Sequence, residues 1–73
     1  MNKQINKIEL LGEVIEALPN TTFRVKVDGE ERVILCHLAG KMRIYRIKVM
    51  IGDKVRFEMT PYDDQKGRII TRI

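Results

Sequence analysis

The side chains that could do covalent chemistry are few: the sequence holds one cysteine, Cys36, one histidine, His37, and no serine. Nucleophilic catalysis needs a hydroxyl or thiol held beside a base. Cys36 and His37 are adjacent, but neighbours on a strand point to opposite faces, which argues against a working pair. Cys36 reads better as a small core residue than as a reactive thiol. His37 divides evenly between a solvated strand end and a contact with nucleic acid. One cysteine excludes an intramolecular disulfide, and a zinc site would have to combine Cys36, His37 and carboxylates. The acidic pair Asp63 and Asp64, beside Lys66 and Arg68, reads as a solvated turn, and no phosphate-cradling Gly-rich loop of the Walker type is present. The expectation is a protein without catalysis, metal or cofactor.

Basic residues carry the stronger signal. The net charge is +4 and the sequence pI is near 9.5. Residues 1–36 hold five basic and six acidic side chains, whereas residues 37–73 hold nine basic and four acidic ones. Such asymmetry suggests a polyanionic partner, although solubility alone also calls for charge. From Lys41 to Lys48 the chain carries four basic residues, Lys41, Arg43, Arg46 and Lys48, and no acidic one. A solvated face usually mixes both signs. Two readings are compatible: an amphipathic connector that buries Ile44, Ile47 and Met50, and a basic segment whose Arg43, Arg46 and Lys48 face a phosphate backbone. Tyr62 could stack on an unpaired base or be a structural loop residue. The chain has only two Phe and two Tyr. With Phe23 and Phe57 expected inside, no row of exposed rings is left for threading a single strand, so shape and charge recognition of folded RNA fits better.

The elements that must position these residues read as strands. Phe23 to Val27 alternates apolar and basic residues, which puts Phe23, Val25 and Val27 in a core and Arg24 and Lys26 in water. Ile8 to Leu18 carries Ile8, Leu10, Gly12 and Val14 at period two, with Gly12 marking a bulge or sharp bend. Leu18 to Thr22 supplies a turn, and Asp28-Gly29 starts a hairpin lengthened by Glu30 and Glu31. A third strand runs from Arg32 to His37, and Leu38 to Met50 is a short helix or structured loop. After a Gly52-Asp53 turn, Lys54 to Thr60 alternates again, with Val55, Phe57 and Met59 on one face. Pro61 to Gly67 is read as a loop and Arg68 to Ile73 as the last strand.

Three strands, a connector and two strands predict an all-β fold: a five-stranded oligonucleotide-binding (OB) barrel with a short helical or irregular connector between the third and fourth strands. An SH3-like barrel is the nearest rival, but it usually places its helical turn before the last strand. One domain is expected over residues 1–73, with residues 1–7 flexible. A chain of this size hides only about 60% of its unfolded surface, and closing the barrel limits free sheet edges. Nothing reads as a secretory signal, and the longest uninterrupted apolar run, Val33 to Cys36, is too short to span a bilayer. A soluble, intracellular protein in a reducing compartment is expected.

Several blocks carry a resemblance. Gly12 and Val14, LPNTTFRV at Leu18–Val25, GKMR at Gly40–Arg43, GDKV at Gly52–Val55, TPYD at Thr60–Asp63 and KGRI at Lys66–Ile69 occur in the order and near the spacing of bacterial translation initiation factor 1. The sequence resembles that family from about Ile8 to its end. The resemblance implies an OB-fold factor in the aminoacyl-tRNA (A) site of the small ribosomal subunit, contacting the decoding region of its rRNA. There it would lie beside a ribosomal protein, block premature tRNA entry and cooperate with the other two initiation factors. It implies RNA contact by Lys41, Met42, Arg43 and Lys48, by the final basic block Lys66, Arg68 and Arg72, and less directly by Arg24 and His37. A cytoplasmic monomer without membrane association is expected, or a stromal one if the chain is a plastid homologue.

The sequence departs from the family pattern in two places. The hairpin DGEERV at Asp28–Val33 has one residue more than the usual Asn-Gly version. Where the family often shows Tyr-Ile-Arg, the aligned residues are Arg46, Ile47 and Lys48, with the aromatic moved to Tyr45. Lysine keeps the attraction to phosphate but lacks arginine's planar fork. The rival functions are a cold-shock-like OB RNA chaperone, which would call for exposed aromatics, and a structural protein of the ribosome, which would stay bound at high salt.

Overall fold

The period-two alternation becomes five strands and one short helix in a computed structural model that describes residues 7–73. They are β1 (Ile8–Leu18), β2 (Thr22–Val27), β3 (Val33–Leu38), α1 (Gly40–Ile44), β4 (Lys54–Thr60) and β5 (Asp63–Arg72). The expected flexible stretch at residues 1–7 falls, up to residue 6, outside the described residues. The strands close into a barrel in the order β1-β2-β3-β5-β4, with β1 pairing back onto β4. The β3–β5 pair is parallel and the other pairs are antiparallel. Closure removes the open edges that a small sheet would otherwise present.

One long strand makes closure possible. Gly12 of β1 lies opposite Val27 of β2 and Val55 of β4, so this residue is paired on both sides. A Cβ there would stand 2.6 Å from the Lys26 carbonyl oxygen and 2.6 Å from Val25 Cγ1. Gly12 therefore marks a close approach of backbones; the β1 bulge itself lies between Val14 and Glu16. Inward positions converge as the alternation requires: Phe23, Val25, Val27, Val55 and Phe57 are all buried in one cluster. Each such side chain contributes about 1.5–3 kcal/mol by leaving water.

The ends of β2, β3 and β5 differ from the sequence reading, the starts of β5 and β3 with visible cause. The last strand begins at Asp63, since Thr60 pairs with Asp63 across a two-residue Pro61-Tyr62 turn. Asp63, Gln65 and Lys66 disguise the strand because both of its faces are in water there. The third strand begins at Val33, and Arg32 closes the preceding hairpin, its carbonyl accepting from the Val27 N–H at 2.9 Å. Gly29 supplies the left-handed φ of +77° that this hairpin turns on. Among the described residues, no helix is long and apolar enough to cross a membrane.

Candidate nucleic-acid interface

The basic connector is seated by few residues. Ala39 enters α1 in an extended conformation, and Met42, the buried residue of the helix, is fully enclosed. Leu38 and Ala39 before it and Val49 after it complete the anchor. The helix ends in a tight reversal. The Ile47 N–H donates to the Met42 carbonyl at 2.9 Å and the Arg46 N–H to the Arg43 carbonyl at 3.1 Å, with Arg46 at φ +54°. These are the crossed bonds of a Schellman cap, with Arg46 in the left-handed position usually held by glycine.

That reversal corrects two expectations. The Met42 side chain is 0% exposed, so it belongs to the core and has no surface from which to touch RNA. Ile44, Ile47 and Met50, which the amphipathic reading buries, are 75%, 38% and 55% exposed. Their spacing would place them on one face only if the helix continued. It stops at Ile44, and the turn at Arg46 redirects the chain beyond it.

Lys41, Arg43, Arg46 and Lys48 are all exposed along this segment. None makes an ion pair with a described carboxylate, and residues 38–52 contain no acid of their own. Several cations elsewhere are matched: Arg24 with Glu16 at 2.8 Å, Lys54 with Asp28 at 2.7 Å, Arg32 with Glu30 at 3.8 Å and, loosely, Lys26 with Glu31 at 3.9 Å. Those exposed pairs add little stability, but they do lower the local positive charge. The connector's positive charge is thus not neutralised by ion pairs among the described residues.

The final basic block meets the connector at one bond. A register shift between Arg56 and Phe57 puts Arg72 opposite Val55, and the Arg72 Nη1 donates to the Lys48 carbonyl at 2.8 Å. Upstream, Lys66 and Arg68 lie beside Leu35 and His37 of β3. His37, Lys66 and Arg68 line an open groove of about 470 Å³, with Lys7, Glu58 and Asp63 at its sides. Arg24 sits across Leu35 from Lys66 on the same outer face. Tyr62 projects from the β4–β5 turn, 86% exposed.

Glu58 was not singled out by sequence reasoning. Its Oε1 accepts from Arg68 Nε at 3.0 Å and from Arg68 Nη2, and Lys7 Nζ lies 3.3 Å away. These hydrogen bonds, Arg68's first, outweigh its partial desolvation and hold the carboxyl below its ordinary pKa. Alternation alone puts Glu58 on the outer face of β4, but only the β4–β5 register brings it to Arg68. Cys36 faces inward and His37 outward, so they do not form a pair. Burial pushes the Cys36 thiol up to about 12, which suits a core residue and not a nucleophile.

A closed five-stranded barrel, a helix between β3 and β4 and a charged connector are thus combined in one chain. The family model for translation initiation factor 1A / IF-1 matches residues 2–73. The chain belongs to that family. It is a family of initiation factors, and RNA binding and ribosome association fit it, whereas the chaperone reading of the barrel does not draw on this match. The solution structure of translation initiation factor 1 from the Wolbachia endosymbiont strain TRS of Brugia malayi is similar, with 46% identity and a TM-score of 0.76. The match covers 92% of this chain and 78% of that one. The barrel also resembles part of YjeQ from Thermotoga maritima, at 27% identity and a TM-score of 0.72, covering 90% of this chain and 23% of that chain. YloQ, a circularly permuted GTPase, gives 25% identity and a TM-score of 0.73 with the same coverage, 90% and 23%. In those two larger chains an equivalent barrel accounts for under a quarter of the length.

Proposed function

We propose that the chain binds the A site of the small ribosomal subunit during initiation through contacts with the decoding region of the rRNA. It thereby blocks premature entry of tRNA, lies beside a ribosomal protein and cooperates with the other two initiation factors, working as a cytoplasmic monomer. The observation that carries this reading is the connector, where Lys41, Arg43, Arg46 and Lys48 are exposed and make no ion pair among the described residues. An array of unmatched cations on a rigid seat neutralises phosphates and releases their counterions, the dominant source of affinity for nucleic acid. Lys66, Arg68 and Arg72 extend the surface along β5, and Arg24, His37 and Tyr62 stand at its margins. With Phe23 and Phe57 buried, the surface lacks the aromatic row that would favour unstructured RNA. A-site tRNA is expected to compete with the protein for isolated small subunits. Full simultaneous occupancy by both would overturn the proposal.

A further inference from the structure

A carboxylate on a face that meets phosphate is normally a liability, since it repels the ligand. Glu58 sits on such a face, in the wall of the groove lined by His37, Lys66 and Arg68. Its side chain is only 12% exposed, while that of Arg68 beside it is 42% exposed. Two donors of the Arg68 guanidinium, Nε and Nη2, converge on one oxygen of Glu58, and Lys7 reaches the same oxygen. Register makes this a crosswise row, with Arg68 flanked by Glu58 on β4 and by His37 on β3. The carboxylate grips one edge of the guanidinium and leaves the other edge with N–H donors for an oxyanion.

We infer that Glu58 is a positioning residue that fixes the Arg68 guanidinium in the groove for contact with an rRNA phosphate. The inference rests on the rRNA binding proposed above. Arginine loses rotamer freedom when it binds, and a side chain already ordered by a neighbour loses less, which is worth about 2- to 10-fold in affinity. Simple electrostatics makes the opposite prediction. Removing an acid from a phosphate-binding face should strengthen binding, so the two accounts differ in sign.

The test titrates small subunits with the parent protein, Glu58→Gln, Glu58→Asp and Glu31→Gln at several salt concentrations, with a thermal melt of each. Glu31 is a control: its side chain is 99% exposed and its pairing with Lys26, at 3.9 Å, is loose. Glu58→Gln is expected to bind about 2- to 10-fold more weakly despite the negative charge it removes, and Glu31→Gln as tightly as the parent or more so. Glu58→Asp keeps the charge but withdraws it from Arg68 by one methylene. It is expected to weaken binding as well, and it keeps the test decisive if the Gln variant does not fold. Folded Glu58 variants that bind as well as the parent, or better, would overturn the positioning role and leave the proposed function standing. A parent protein that does not bind the subunit would overturn both.

Discussion

Arg46 adopts a backbone conformation that its side chain does not favour. At φ +54° a Cβ crowds its own carbonyl, which is why glycine is the usual residue at this point of a helix end. Arg46 has no ion-pair partner among the described residues and is exposed, so its side chain does not offset the strain within the fold. Arg46→Gly is therefore expected to leave stability unchanged or raise it by up to about 1 kcal/mol, the relief being partly offset by glycine's greater freedom when unfolded. Chemical denaturation measures this directly. The same variant is expected to bind small subunits more weakly, since it removes one of the unmatched cations. A stability decrease of about 1 kcal/mol or more would show that the side chain supports the connector.

At the scale of elements, β1 is the strand on which closure depends. A Cβ at Gly12 would meet a carbonyl oxygen of β2 at 2.6 Å, and backbone cannot swing aside as a side chain can. Gly12→Ala is expected to destabilise the barrel by about 3 kcal/mol, the upper end for overpacking. Gly40, where a Cβ meets nothing within 4 Å, should accept alanine without loss. Equal denaturation midpoints for the two variants would contradict this account of β1. The strands β1, β2 and β4 were legible in the sequence because half-buried strands write their burial as alternation. The first part of β5 was not, since Asp63–Lys66 is polar throughout and carries no alternation. The connector misled for a related reason: the spacing of Ile44, Ile47 and Met50 suggests one helical face, but the reversal at Arg46 is a backbone event with no apolar signature. Of the candidate interface, the cations could be read from the sequence, whereas the Glu58–Arg68 pair depends on a register between strands that local pattern does not encode.

For the whole molecule, the distribution of matched and unmatched charge matters more than the net charge of +4. Arg24, Lys26, Arg32 and Lys54 are paired around the β1–β3 side, while the connector is not. Arg43→Ala and Lys48→Ala are accordingly expected to weaken subunit binding and to flatten the dependence of log affinity on log salt by about 0.7–0.9 for each phosphate left unneutralised. Lys26→Ala should cost less affinity. None of the three should shift stability by more than about 0.5 kcal/mol, as befits exposed positions. The central claim, that this surface meets the decoding region, is tested most directly by chemical footprinting of small-subunit rRNA with and without the protein. Protection confined to the decoding region, and needing more protein in the Arg43 and Lys48 variants, is the predicted result; protection elsewhere, or none at saturating protein, would contradict it.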